Sequence, residues 1–395
     1  MSKTAHIIIG LGFGDEGKGL VSDYYCSRLE KPIVIRFNGG QQAGHTVFIK
    51  PGQKHMFSNL GVGACRGIPT YWSEYCSFSP GFFLDEVKAL RQPVKFFLDR
   101  NCPVTTHYDI LYNRLIEHFG GKKRHGSCGL GVGSTFQRHK ELKIKFTAED
   151  LLDANLSLYK LSLIRKYYRK KIQKETDFLF YAFNHNREDA RFEKLLQAIG
   201  HLIVEGSVVL TNESRILRSD SSWKSYIFEG AQGILLDQKF GQQPYVTRSN
   251  TTSQNAIELI ERNFQTADIK TTLVYVTRAY HTRHGNGPFK SANSNKLLKN
   301  TFYEFNEFNS YQGPFKVGYL DLDLLNYSVK CDRQFSKAYQ KNLFVTCLDQ
   351  VNPANIPVYI DGRKRFISFE MIQALVACDL ECVHYSFSPF SSDIQ

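Results

Sequence analysis

A short β-branched run that drops into a glycine-rich turn constrains this chain more than any other feature. Ile7-Ile8-Ile9 has the length and branching of a buried strand. It runs into Gly10-Leu11-Gly12-Phe13-Gly14-Asp15-Glu16-Gly17-Lys18-Gly19, after which Leu20-Val21-Ser22-Asp23-Tyr24-Tyr25 can open a helix. Strand, glycine turn and helix start together form a cradle for phosphate. Glycines let backbone N–H groups converge on an anion, and the helix N-terminus adds partial positive charge. Lys18 can reach a phosphate as a point charge. Asp15 stands apart, because a carboxylate beside a phosphate nest is repelled unless it holds a metal or a proton in transfer. Gly12 to Gly17 has the spacing of an ordinary P-loop, but Gly19 takes the place of the hydroxyl residue that should follow the lysine. A generic P-loop NTPase is therefore a poor match, and on this segment alone a glycine turn without a ligand stays open.

A second segment narrows the choice. The predicted strand Ile33-Val34-Ile35 leads into Arg36-Phe37-Asn38-Gly39-Gly40-Gln41-Gln42-Ala43-Gly44-His45-Thr46-Val47, another glycine-rich turn, this one ending in a histidine. The pair G-x-G-D-E-G-K-G and N-G-G-x-x-A-G-H-T-V resembles the adenylosuccinate synthetase family, the purine ligases that join aspartate to IMP using GTP. Phe228-Glu229-Gly230-Ala231-Gln232-Gly233, continuing through Leu235-Leu236-Asp237, is similar to the family's F-E-G-A-Q-G-x-L-L-D. Pro244-Tyr245-Val246-Thr247-Arg248-Ser249-Asn250-Thr251-Thr252 is similar to P-Y-V-T-x-S-N-T-T. The stretch from Ala279 to Phe289 resembles A-Y-x-T-R-x-G-x-G-P-F. The resemblance extends over most of the chain and is looser in the middle and the C-terminal third.

Size and composition set the frame. A chain of 395 residues with 42% hydrophobic and 13% aromatic residues can bury a large core and is not disordered. No apolar run approaches the roughly 20 residues that span a bilayer, and the N-terminus has no secretory pattern. Nine cysteines without C-x-x-C pairs argue for reduced thiols in a cytoplasmic setting and give little support to zinc. The net charge of +12 comes from scattered residues, so nucleic acid is not the implied partner. The one dense run, Arg165-Lys166-Tyr167-Tyr168-Arg169-Lys170-Lys171, reads as the solvated face of a helix. Further buried strands are expected at Tyr226-Ile227-Phe228, Leu273-Val274-Tyr275-Val276 and Leu343-Phe344-Val345-Thr346, and a helix from Phe82 to Leu90. The expected fold is α/β: a largely parallel central sheet with flanking helices, in one domain over 1–395, with a helical subdomain at about 148–204.

The resemblance implies a site. Asp15 would be the base that deprotonates N1 of the purine, and His45 would act as general acid at the oxygen being phosphorylated or stabilise its charge. Gln232 would hold the 6-oxo edge. Gly12, Gly14, Glu16, Gly17, Lys18 and Gly19 would wrap the NTP phosphates, while Gln42 and Thr46 would bind nucleotide. Ser127, Cys128 and Thr247 would take the nucleotide 5′-phosphate. Asp349, in Thr346-Cys347-Leu348-Asp349, would read the base of GTP, which the pattern favours over ATP. Mg²⁺ would sit on Asp15 and the Gly44 carbonyl. A homodimer is implied, since the family completes its nucleotide site with a basic residue from the partner, for which Arg138, Lys140 and Lys143 are the candidates.

Departures from the family pattern define the rival readings. Gln42 stands where the family has asparagine, and Cys347 replaces a lysine that stacks on the base. The loop Asn309-Ser310-Tyr311-Gln312-Gly313-Pro314-Phe315-Lys316-Val317-Gly318-Tyr319 has no arginine, whereas the family's aspartate loop is threonine- and arginine-rich. Dicarboxylate recognition normally uses guanidinium groups. The runner-up is thus a paralogue with another purine or amine donor, and a nucleotide-sensing protein without ligation is the reading outside the enzyme class.

Overall fold

The computed structural model describes residues 3–50, 52–121, 124–290, 297–302, 304, 306 and 308–395. The chain opens with β1 (Lys3–Gly10), α1 (Lys18–Cys26), β2 (Pro32–Arg36) and a hairpin of β3 (His45–Lys50) and β4 (Gln53–Phe57). Then come β5 (Thr70–Trp72), α2 (Pro80–Leu90), β6 (Phe96–Asp99), α3 (His107–Phe119) and α4 (Val132–Glu141). Two long helices, α5 (Ala154–Glu175) and α6 (His185–Val204), precede β7 (Val208–Thr211), α7 (Glu213–Ile216) and β8 (Ser225–Gly233). After α8 (Gln254–Asn263) follow β9 (Ile269–Arg278), β10 (Tyr280–Arg283), β11 (Lys316–Asp321) and α9 (Leu322–Ser336). The last elements are β12 (Gln340–Thr346), β13 (Ile356–Ile360), β14 (Arg363–Ile367), α10 (Glu370–Leu375) and β15 (Cys382–Tyr385).

Nine strands form one sheet in the order β15-β12-β9-β1-β8-β2-β5-β6-β7, and every neighbouring pair in it is parallel. Helices cover both faces of such a sheet, which is why its strands read as unbroken apolar runs rather than as alternation. Successive residues of β1 serve different cores: Ile7 and Ile9 pack with Phe228 and Tyr275, while Ile8 packs with Ile227, Val274 and Phe344. The five expected strands lie within β1, β2, β8, β9 and β12, and the expected helix lies within α2. That helix begins two residues early because Pro80 suits a first helical position.

Residues 148–204 are helical: a 3₁₀ turn, Ala148–Leu152, then α5 and α6. In α5 Leu161, Ile164, Tyr168 and Ile172 are buried, while Lys166, Arg169 and Lys170 are exposed, so the basic run is a solvated face. A smaller sheet, β10-β11-β13-β14, extends from the end of β9. The carboxyl ends of β1, β2, β8, β9 and β12 open onto one side, and the glycine turns that follow β1 and β2 start there, as ligand-binding turns of parallel sheets do.

Candidate active site

Gly17 caps α1 with φ of 92°, which places Lys18 at the first helical position. The Glu16 carboxylate turns inward and accepts from the backbone N–H of Gly12 at 3.0 Å and of Gly14 at 2.8 Å. It also forms an ion pair with Lys18. Gly14, Asp15, Gly17, Lys18 and Gly19 line a large cavity of about 1500 Å³. Gly12 and Glu16 stand behind that wall and brace it, rather than facing the cavity as the sequence suggests. Thr346 at the end of β12 donates to the Glu16 carbonyl at 2.7 Å and so ties the turn to the sheet.

Asp15 sits in the left-handed region at φ 62°. Its Oδ2 is 3.2 Å from His284 Nε2, which also approaches Asn306 Oδ1 at 3.2 Å, and Arg278 donates Nε–H to the Asp15 carbonyl. Burial pushes the Asp15 carboxyl up, but the His284 hydrogen bond and charge, with Arg278 and Lys18, outweigh it and hold the group below the usual range. The His284 imidazole is pushed down by burial and held above its usual range by Asp15 and Asn306. Sequence reasoning missed His284. A histidine in a glycine turn was its only signal, and its partner lies far away in sequence.

His45 opens β3 and is almost fully buried. Its Nδ1 lies 2.6 Å from Glu229 Oε1 on β8. Glu229 is fully buried, accepts from the Val62 N–H at 3.1 Å, and has Arg36 Nη1 3.4 Å away. Burial would raise the Glu229 carboxyl, yet His45, Arg36 and the Val62 N–H hold it low. Burial keeps the imidazole below its usual range against the pull of Glu229. Glu229 was the second omission, although a carboxylate in an apolar strand is itself a signal of a buried partner.

Gln42, Gly44, His45, Thr46 and Gln232 all line the same cavity. Both amide atoms of Gln42 and the Oε1 of Gln232 are buried without a hydrogen-bond partner, an arrangement that favours a polar ligand edge. Gln232 is held at φ 62° and Cys347 at φ 59°. With Asp15 that makes three cavity-lining side chains in a conformation disfavoured outside glycine. Asn38 steadies Gln232 from behind: its Oδ1 accepts from the Ala231 N–H at 2.7 Å and its Nδ2 donates to Ala231 and Asn250 carbonyls.

Ser127, Cys128 and Thr247 also line the cavity. The buried Glu117 carboxylate accepts from the N–H groups of Gly126 and Ser127 at 2.8 and 2.9 Å and fixes that turn, and burial pushes the Cys128 thiol up to about 11. Arg138 does not line the cavity. It is fully buried against Asp109, with Nε 2.8 Å from Oδ1, and Tyr168 donates to the same carboxylate. It is a core ion pair and unavailable to a second subunit's nucleotide. Lys140 lines the cavity and Lys143 lies exposed outside it.

Asp349 lines the cavity too, with its carboxyl raised by burial, as do Cys347, Ser388 and Pro389. Asn309 and Gln312 bring the long loop to the wall. Its cation, Lys316, is directed to the Gly285 carbonyl. Arg278 pairs with Glu304 at 2.6 Å, and Arg283 donates to Gln242, Asn286 and Pro288 oxygens.

Among the described residues no cluster of three or more His, Cys, Asp or Glu could cage a metal. Mg²⁺ does not require one, since it takes one or two protein oxygens and completes its shell with substrate phosphates and water. Asp15, ionised and facing the cavity beside the Lys18 turn, fits that role, with the Gly44 carbonyl on the same wall.

A parallel sheet whose strand ends carry a lysine-bearing glycine turn, a buried histidine and orphaned amides on one cavity fits a nucleotide-dependent transferase or ligase. The sequence profile of adenylosuccinate synthetase matches residues 7–359. Adenylosuccinate synthetase of Koribacter versatilis is 31% identical over 378 residues, covering 92% of this chain and 80% of the relative. That of Thermoplasma acidophilum is 29% identical over 365 residues, covering 91% and 80%. Fully ligated adenylosuccinate synthetase from Plasmodium falciparum superposes with a TM-score of 0.80 at 18% identity, over 99% of both chains. The succinoaminodeoxyadenylate synthetase of cyanophage S-2L, bound to dGMP and dATP, gives 0.67 at 16% identity, over 100% of this chain and 95% of that one. This chain belongs to the adenylosuccinate synthetase family. It is a Mg²⁺-dependent C–N ligase of that type, which the sensing reading would not require.

Proposed function

We propose that the chain phosphorylates the 6-oxo group of an IMP-like nucleotide with GTP and then displaces that phosphate with an amine, using Asp15 and His45 as its proton-handling groups. The observation that carries this reading is the placement of both groups on one cavity, each held by a side-chain partner, Asp15 by His284 and His45 by Glu229. The Asp15 carboxylate, held ionised, takes the N1 proton. The freed O6 then attacks the γ-phosphorus, the bond to the bridging oxygen breaks, and GDP leaves. Since Glu229 is an acceptor, His45 Nδ1 carries a proton, and Nε2 faces the reacting oxygen. A proton gained at Nε2 gives an imidazolium that Glu229 stabilises and that can donate to O6. In the second step the amine nitrogen bonds C6, the C6–O bond breaks with loss of inorganic phosphate, and the amine gives up a proton.

Lys18 and the N–H groups that open α1 bind the γ-phosphate end, Gln232 and Gln42 hold the base, and Asp349 reads the guanine. When bound at Asp15 and Gly44, Mg²⁺ neutralises phosphate charge. The same reading takes residues 1–395 as one catalytic domain with a helical subdomain at 148–204, working as a cytosolic homodimer. Incubation with IMP, GTP, Mg²⁺ and a pool of amino acids, followed by mass spectrometry, tests it. The expected product is a nucleotide carrying the amine in place of the 6-oxo group, with GDP and phosphate in equal amounts. GTP hydrolysis with no change in the mass of any purine nucleotide overturns the reading.

A further inference from the structure

The small sheet has two unlike faces. On one, Leu320, Ile356, Val358 and Ile367 pack into the core. The register puts the alternate residues on the other: Tyr359 opposes Lys364, Pro357 opposes Phe366, and Tyr319 stands two residues before Asp321, which opposes Tyr359. The neighbouring strands β11, β13 and β14 thus offer one aromatic ring each to the same face. Phe366 is 57% exposed, and Tyr319 and Tyr359 are half-buried. None of the three lines the cavity.

Cations are interleaved with these rings. Lys364 Nζ stands 4.5 Å from the Tyr319 ring centroid and 5.0 Å from that of Phe366, and it donates to the Tyr319 hydroxyl at 3.1 Å. Lys290 Nζ is 5.7 Å from the Tyr359 centroid, which lies 5.8 Å from that of Tyr319. Exposed Arg363 and Arg365 continue the positive charge along β14, the outermost strand. Two neighbouring carboxylates are engaged within the protein. Asp321 is met by Lys290 and the Leu324 N–H, and Asp323 by the N–H groups of Asp361 and Gly362. Arg363, Lys364 and Arg365 outnumber the one carboxylate at the hairpin tip, Asp361. Far apart in sequence, these rings and cations become one surface only when the three strands pair.

We propose that this face binds single-stranded nucleic acid, a role separate from the ligase chemistry in the cavity. Unpaired bases stack on Phe366, Tyr359 and Tyr319, while Lys364, Lys290 and the β14 arginines meet the phosphates. Phe366 is the most open of the rings and so the main platform. A single strand fits better than other anionic partners because it alone offers both base faces and phosphates. A duplex keeps its bases stacked inside, and an acidic protein or an anionic lipid surface would engage the cations and leave the rings unstacked.

The test titrates a labelled single-stranded oligonucleotide of about twelve nucleotides with full-length protein, read by fluorescence anisotropy with and without excess IMP. Wild type is compared with Phe366→Ala, Phe366→Leu and the double variant Arg363→Ala with Arg365→Ala. The matching duplex, heparin and phosphatidylserine vesicles are the comparison ligands. Wild type should bind the single strand roughly tenfold or more tighter than the duplex. Both Phe366 variants should weaken it roughly five- to a hundredfold, the loss of one base–aromatic stack, since leucine keeps apolar area but has no ring face. The double arginine variant should flatten the dependence of affinity on salt. Melting curves and ligation rates should stay at wild type throughout, because these residues lie outside the cavity. Wild type that leaves the oligonucleotide free, binding that Phe366→Leu does not change, or equal affinity for duplex and heparin overturns the proposal. Displacement of the oligonucleotide by IMP, which would put it in the cavity, and vesicle binding without oligonucleotide binding overturn it as well.

Discussion

His45 Nδ1 on β3 and Glu229 Oε1 on β8 meet at 2.6 Å, and this contact leaves Nε2 as the ring nitrogen free to face the cavity. Glu229→Gln should keep the hydrogen bond but lose the charge that stabilises a protonated His45. Turnover should fall by about 10²-fold or more with KM for GTP little changed. Glu229→Ala also strands Arg36 without its counter-charge, so its melting curve should shift by the equivalent of about 3–5 kcal/mol. Wild-type rates in a folded Glu229→Gln protein would remove His45 from the chemistry.

Asp15→Ala should abolish product formation while leaving the fold intact. Asp15→Asn is the matched control, because asparagine tolerates the left-handed backbone at φ 62°. Rates and unfolding curves measured on the same samples decide the matter. A stability loss as large as the activity loss would mark Asp15 as structural.

The Asp15–His284 pair gives a pH signature in the ligand-free protein. Asp15 is held low, so its contribution is present above its unfolded value, about pH 4, and is lost as pH falls through the lower folded value. His284 is held high, so its contribution is complete below about pH 6.5 and is lost as pH rises through the raised folded value. The stabilisation is therefore greatest between about pH 4 and 6.5. His284→Ala should lower stability by about 1 kcal/mol near pH 5.5 in metal-free buffer and by much less at pH 9, since the pair is partly solvent-exposed. A difference that is flat across this range would show that the contact carries no charge.

Aspartate should saturate this enzyme weakly, in roughly the millimolar range or above. Arg278 is held by Glu304 and Lys316 by a carbonyl, so a dicarboxylate must compete with a carboxylate of the protein for its guanidinium. Glu304→Gln should lower KM for aspartate by about tenfold, equivalent to about 1.4 kcal/mol. Steady-state kinetics with aspartate varied checks this, and sub-millimolar saturation of the wild type would place the carboxylate clamp elsewhere.

Much of this arrangement was legible in the chain. Five core strands stood out because a sheet covered on both faces leaves no polar alternation to blur an apolar run. The glycine turns stood out because close backbone approach to an anion leaves few other residues possible. Glu229 and His284 escaped because each acquires its meaning from a partner more than 180 residues away, His45 and Asp15. Arg138 misled for the converse reason: a cation after a glycine turn looks available, and only the packing of α3 and α5 brings Asp109 and Tyr168 around it. Glu16 reads as a phosphate-loop residue, yet nothing local says which way its carboxylate turns.

That inward turn of Glu16 bears on the speed of recognition. Its carboxylate already ties the Gly12 and Gly14 amides and Lys18 into one shape, and Thr346 pins the same turn to the sheet. The loop thus loses its conformational entropy when the chain folds and not when nucleotide arrives. An incoming triphosphate meets a finished surface, and its association rate is set by diffusion and the local field rather than by the wait for a loop to order.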